Sequence, residues 1–499
     1  MFQNLFRKKS LQLLQAESEA SPLKRSLGVF ELTTLGIGAI IGTGIFVLTG
    51  EAAAGTEHAL GAGPALSVSF VITGLACAFA ALCYAEFASM IPVSGSAYTY
   101  SYNAFGEFIA WIIGWDLILE YAVGNVAVAI GWSGYFKNLL DGLGWYLPGS
   151  VSAATGTQMV QLPSGAWVPL EQGLSTTYGE ALSGFPQTEA LFNAPALLIT
   201  LAVSLLLYIG IRESARATAI LVIVKLILIG IFLWVGLPHF NPATYWVPFA
   251  PNGISGILTG AALVFFAYVG FDAVSTTAEE ARNPQRDLPR AMIFALLICT
   301  LLYILVTMVL TGMVPLEVLG NEKPVAEALK AVGEDNIAML VAVGITVTMP
   351  TVLLVMQLGQ IRILYTMSRD GLLGGRFGSI HKRYKTPSFA TVAVGLFVGV
   401  LAATIDIGAA AELTNIGTLF AFVLVAIGVW ILRVKQPGAT RRFKTPAYKL
   451  VCALCVVFCI TLMVALPGVT WFRFVLWMVL GAGVYTLYGY RKSKLATQP

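Results

Sequence analysis

The chain has 499 residues, of which 57% are hydrophobic and only 11% charged, with a formal net charge of +4. Soluble domains carry about 25% charged residues, so this composition excludes an ordinary water-soluble globule. Apolar runs of roughly 20 residues, each long enough to cross a bilayer, recur along the chain. They lack the charged outer face of a soluble bundle, and the small net charge gives no reason to expect a nucleic-acid partner.

Residues 1–29 form a polar N-terminal arm with no signal-peptide pattern. Its stretch Leu5-Phe6-Arg7-Lys8-Lys9 suits an anionic leaflet or an ordinary positive-inside tail. Twelve spans are predicted, at 30–50, 65–90, 107–133, 194–212, 216–237, 254–277, 290–313, 337–366, 388–406, 411–434, 447–467 and 470–490. A Gly-, Ser-, Thr- and Pro-rich loop covers 137–193. With the N-terminus inside, twenty-four of the thirty basic residues fall in inner segments, against Lys137, Lys323, Lys330 and Arg473 in outer ones. Positive-inside bias therefore predicts a multi-pass protein of the cell membrane with both termini, including the tail 491–499, in the cytoplasm.

Span one contains Gly36-Ile-Gly-Ala-Ile-Ile-Gly-Thr-Gly-Ile-Phe46. Four glycines at membrane depth weaken a helix, and irregular backbone survives there only where protein or a cavity satisfies it. Small-residue helix packing would also use such glycines. Span six repeats the weakness in Phe265-Phe-Ala-Tyr-Val-Gly-Phe-Asp272, and a break recurring five spans later favours a ligand site between two inverted repeats. The N–H groups around Gly42-Thr43-Gly44 suit a carboxylate, and carbonyls of Ile40, Phe266 and Val269 suit an ammonium. A ligand with both groups on one carbon is an α-amino acid.

Lys225 lies in the apolar stretch 218–234 of span five. Nine residues at ~1.5 Å each place it roughly 14 Å inside the helix end marked by Arg216. A charge that deep calls for a partner, a wet cavity or a titrating function. Span eight carries the other in-span cation, Arg362, and Glu120 in span three and Asp272 in span six are candidate network or gating carboxylates. Glu86 is placed to cap or tether an inner loop, and Glu279, Glu280, Arg282, Arg286 and Asp287 form either an ion network or a solvated loop.

Cys77, Cys83, Cys299, Cys452, Cys455 and Cys459 all fall inside spans. No disulfide-linked outer subunit is therefore expected. With no histidine or acid nearby, the 452, 455, 459 spacing reads as helix packing, not a metal site. A small single-span partner held by lipid-facing packing would leave no trace in the sequence. His58, His239 and His381 lie in loops, and no nucleophile–base pair or phosphate loop occurs, so neither an enzyme nor an ATP-driven pump is expected.

Several motifs in order resemble the amino acid–polyamine–organocation superfamily, and within it a bacterial member of the cationic amino acid transporter family. They are the glycine-rich span one, Tyr84-Ala-Glu86, Pro92-Val-Ser-Gly-Ser-Ala-Tyr98, Gly114-Trp115 and Leu119-Glu-Tyr121. Further along come Glu279-Glu-Ala-Arg-Asn-Pro284, Arg362-Ile-Leu-Tyr-Thr-Met-Ser-Arg-Asp-Gly371 and Asn415-Ile-Gly-Thr-Leu-Phe-Ala-Phe422.

The resemblance implies an all-α, leucine-transporter-like fold, with five-helix repeats at 30–237 and 254–434 and two peripheral helices at 447–490. It implies a substrate site of Ile40, Ile41, Gly42, Thr43, Gly44, Phe266, Val269 and Met356, with Phe266 as an outer lid. It also puts Lys225 where sodium sits in sodium-coupled relatives, so the coupling ion is expected to be a proton, with no sodium and no cofactor. Met356 stands where cationic carriers have a small polar residue, which favours free neutral L-amino acids such as alanine over arginine or lysine. The leading expectation is a proton-coupled importer working by alternating access, with an exchanger, or a uniporter or exchanger of cationic amino acids, as the alternatives. A sensor that binds without transporting would need an output domain, and the inner segments are too short for one.

Overall fold

The computed structural model describes residues 7–10, 13–14, 25–56, 59–91, 93, 95–170, 184–210, 214–321 and 323–496. Leu5, Phe6, His58, Pro92, Ser94, Arg212, the loop stretch 171–183 and the last three residues of the tail lie outside them. The molecule is mostly helical. Among the described residues, eight helical stretches are long and apolar enough to cross a membrane by length and composition. Four shorter apolar helices, Val29–Ile40, Ala194–Ile209, Ser388–Thr404 and Tyr448–Val464, occupy the remaining predicted positions.

The first predicted span is three helices, α1 (Val29–Ile40), α2 (Thr43–Phe46) and α3 (Leu48–Ala54). A short hairpin of β1 (Gly55–Thr56) and β2 (Ala59–Leu60) follows, then α4 (Leu66–Met90), α5 (Ser96–Ala104) and α6 (Glu107–Gly142). The expected outer loop therefore starts later than residue 137, because the helical ladder of α6 runs on to Gly142. The loop also has structure of its own. A three-stranded antiparallel sheet places β3 (Gln158–Gln161) between β4 (Trp167–Pro169) and β5 (Gln187–Glu189). Lys137 at the end of α6 donates to the Trp167 carbonyl and ties the sheet to the bundle.

Two helices, α7 (Ala194–Ile209) and α8 (Ser214–Gly236), lead to α9 (Gly253–Val264). Beyond α9 the chain continues as 3₁₀ turns over Phe265–Tyr268 and Asp272–Glu280. The second half adds α10 (Pro284–Met313), α11 (Pro324–Ala331), α12 (Asp335–Thr348) and α13 (Pro350–Arg369). The eighth predicted span is thus two helices, interrupted at Met349 where Pro350 cannot continue the hydrogen-bond ladder. The last four are α14 (Ser388–Thr404), α15 (Ile407–Lys435), α16 (Tyr448–Val464) and α17 (Gly468–Val484).

The core is built by α10 against α4 and α1, and by α6 against α15 and α13. Both broken regions lie in this core, with Ile40, Ile41, Thr43 and Phe265 through Asp272 all buried. Glu86 at the end of α4 accepts from Arg433 at 2.7 and 2.8 Å and from the Thr445 N–H, and pairs with Arg441. It tethers the loop between α15 and α16, as its position in the sequence suggests.

Candidate functional site

The first break is two residues long. Ile41 is extended at φ −75°, ψ 104°, Gly42 lies outside the helical region, and α2 restarts at Thr43. A helix that stops leaves carbonyls without partners, and one that starts leaves N–H groups without them. The stranded carbonyls are reached from two other helices. Lys225 of α8, fully buried, donates through Nζ to the Ile41 carbonyl at 2.7 Å and lies 3.3 Å from that of Gly38. The Tyr303 hydroxyl of α10 lies 2.9 Å from the Ile40 carbonyl.

The second break is satisfied mainly from within. The Val269 N–H donates to the Phe266 carbonyl and the Ala273 N–H to that of Gly270. The Phe266 carbonyl, expected to be free for an ammonium, is thus already in a turn, because the helix tightens to 3₁₀ before it breaks. Val269 is extended, at φ −58° and ψ 133°. Gly270 has φ +113°, a left-handed conformation that glycine adopts without steric cost, and its Cα faces the Ala39 backbone.

The two breaks touch. A Cβ on Gly44 would overlap the Ala267 backbone, so only glycine lets α2 lie against the second break. Thr43 is fully buried beside Gly131 of α6, and its hydroxyl has no hydrogen-bond partner among the described residues. Gly42 faces Val352 of α13, and Met356 lies one turn further along that helix. The Met356 methyl lies opposite Gly124 of α6, with Thr414 of α15 alongside. All eight residues expected to contact substrate are buried in this one region.

Beside the second break lie two buried carboxylates, Asp272 and Glu120. Asp272 Oδ2 accepts from the Tyr121 hydroxyl at 3.0 Å and the Ser96 hydroxyl at 3.4 Å. Its Oδ1 and Glu120 Oε2 have no hydrogen-bond partner among the described residues. Arg362 does not join them. It pairs with Glu280 and approaches the Thr276 carbonyl, which fastens α13 to the segment after the second break. The Glu280 carbonyl in turn accepts from the N–H groups of Ser26 and Leu27, and the Arg282 side chain donates to the Ser26 carbonyl. Of the five charges after span six, Glu280 thus pairs outside the cluster with Arg362, and Arg282 binds backbone.

The arm departs from the leaflet expectation at its described residues. Lys9 forms a buried ion pair with Asp370 at 2.7 Å, and the Tyr98 hydroxyl donates to the same carboxylate at 2.6 Å. Lys8 donates to the Ala104 carbonyl, and its ammonium is pushed below the usual lysine range by burial and by the nearby Lys435. These are contacts with protein, made by residues more than ninety positions apart. The cysteines are all buried and free, and Cys83 of α4 faces Cys452 of α16 with the sulfurs 3.8 Å apart. Among the described residues no cluster of three or more His, Cys, Asp or Glu could hold a metal ion.

Sequence reasoning missed Tyr303 and Gly124. Each is an ordinary residue in an apolar helix, and only the partner across the core gives it meaning.

The branched-chain amino acid permease of Bacillus subtilis (strain 168) is 46% identical over 494 residues, which cover 99% of each chain. The methylthioribose transporter of the same organism is 44% identical over 492 residues, again 99% of each. The vacuolar cationic amino acid transporter 2 of Arabidopsis thaliana is 37% identical over 440 residues, 87% of this chain and 64% of that one. The expected resemblance to cationic amino acid transporters holds, with the two bacterial carriers more similar than the plant protein. Residues 27–484 match the amino acid permease family, so this multi-pass membrane chain belongs to it.

Proposed function

We propose that the protein imports neutral L-amino acids together with protons, by alternating access around the two breaks. In this reading the twelve helical regions are twelve spans with both ends in the cytoplasm. The five-helix repeats occupy 30–237 and 254–434, and 447–490 is peripheral. The substrate carboxylate takes the N–H groups of Gly42, Thr43 and Gly44 at the start of α2. The ammonium takes carbonyls of Ile40 and Val269, while Phe266 covers the site and Ile41 and Met356 wall it. The substrate range extends from alanine to branched-chain residues, a reading supported by the Bacillus subtilis permease at 46% identity. Methionine at 356 also supports it, since a thioether offers a cationic side chain no strong acceptor.

The observation that carries the mechanism is the bond from Lys225 to the Ile41 carbonyl. A protonated lysine puts a positive charge and three donors against the broken end of α1. Losing the proton removes the charge and one donor, which loosens α1 from α8. Transport requires a ligand to bind the outward and inward states differently, and this contact gives the proton such a preference. Glu120, Asp272 and Arg362 serve as network residues.

The test is uptake of L-alanine and L-leucine by purified protein in liposomes, with acid outside, for the unchanged chain and for Lys225→Ala. Accumulation driven by the gradient and lost in the variant is the expected result. Counterflow that ignores both the gradient and the mutation would make the protein an exchanger. The methylthioribose transporter at 44% identity supports a second reading, so methylthioribose belongs in the same assay as a competitor.

A further inference from the structure

Tyr303 is fully buried on α10, and its hydroxyl oxygen lies 2.9 Å from the Ile40 carbonyl and 2.8 Å from the Ala267 carbonyl. Ile40 ends α1 at the first break, and Ala267 sits in the 3₁₀ turn at the second. A phenol carries one hydrogen, so it donates to one of these carbonyls at a time. The ring itself is held, with its centroid 5.3 Å from both the Phe70 and Tyr268 rings. Turning the O–H from one carbonyl to the other needs no movement of the ring. Because Gly44 lies directly on Ala267, the backbone that presents Ala267 is itself packed against α2.

We propose that Tyr303 is a positioning residue that couples recognition of the substrate ammonium to the joining of the two broken helices. Without substrate, one hydroxyl is shared by two carbonyls. When an ammonium donates to the Ile40 carbonyl, the Tyr303 hydroxyl turns to Ala267, and both breaks have their donors only with the ligand in place. The ligand class this favours is a small molecule with a primary ammonium beside a carboxylate. The inference rests on the amino acid reading above and assigns that reading a residue in α10, outside both broken helices.

Tyr303→Phe removes the hydroxyl and keeps the ring. In the liposome assay the ammonium gains the Ile40 carbonyl in both forms, so the KM for L-leucine should stay within about threefold, while the maximal rate per folded transporter falls about tenfold because Ala267 has no donor once substrate is bound. An unchanged maximal rate, or a KM raised about tenfold or more, would overturn the coupling role. If the variant does not elute as a folded protein, hydrogen exchange on the unchanged chain decides. L-leucine should then protect 40–46 and 265–270 together, and protection confined to 40–46 would overturn the proposal. Absence of any L-alanine or L-leucine uptake by the unchanged chain would remove the amino acid reading itself. Normal uptake with an unaltered Tyr303→Phe would remove only this inference.

Discussion

The two breaks pack against each other in the core, yet the first relies on side chains of other helices far more than the second does. At the first, the chain stops being helical abruptly, and carbonyls at its end are met from outside by the Lys225 ammonium and the Tyr303 hydroxyl. At the second, 3₁₀ turns re-pair most of the backbone locally, the same Tyr303 hydroxyl reaches the Ala267 carbonyl, and the nearby side chain is a carboxylate, Asp272, held by Tyr121 and Ser96. One break borrows a cation and the other presents an anion. In the proposed mechanism the first break is loosened when Lys225 loses its proton, while the second keeps its local turns.

Four substitutions break or sharpen this contrast. The largest effect is expected from Gly44→Ala, because the new Cβ meets Ala267 backbone, which has no flexible end to move aside. Uptake should fall by more than about a hundredfold, with overpacking destabilising the protein by ~1–3 kcal/mol in a thermal unfolding assay. Normal uptake by this variant would mean the breaks do not need to touch. Lys225→Ala comes next: accumulation driven by acid outside should disappear while some counterflow of L-alanine persists. Uptake that still rises as the outside is acidified would show that the proton acts elsewhere.

Asp272→Asn keeps the shape of the second break and removes its charge. We expect uptake about tenfold lower with its pH dependence retained, measured as initial rate against external pH. A flat pH profile would instead make Asp272 a proton carrier and erase the contrast between the breaks. The smallest effect is expected from Met356→Ser, which opens space opposite Gly124 and supplies an acceptor. Arginine should then compete with L-leucine several-fold better than it does in the unchanged chain. Competition no better than before would mean that the substrate side chain does not point at α13.

Much of this arrangement is legible in one dimension where the signal is local. The glycines of 36–44 weaken a helix wherever they occur, and the break falls at Ile41 and Gly42 as their spacing suggests. The second weak point is also found, though the sequence does not reveal that it tightens to 3₁₀ and uses the Phe266 carbonyl internally. Lys225 is conspicuous because nothing near it in sequence can neutralise it, but its acceptors are 184 and 187 positions away. Arg362 and Glu120 are equally conspicuous, and here sequence reasoning was less informative. Both are in-span charges that could have paired, and the fold sends Arg362 to Glu280 instead. The docking of Lys9 on Asp370, across 361 positions, had no signal at all.

The sequence by itself determined that the chain enters a membrane, roughly where its helices lie, and where two of them fail. Those properties follow from runs of apolar side chains and from the backbone preferences of glycine, which act over a few residues. Only the tertiary structure decided what the failed helices bind to. The donors at the first break come from α8 and α10, the close approach of Gly44 to Ala267 depends on helices packing to within a methyl group, and Asp272 gains its partners from α5 and α6. Such contacts depend on how distant helices close on one another, and no periodicity along the chain records that closure.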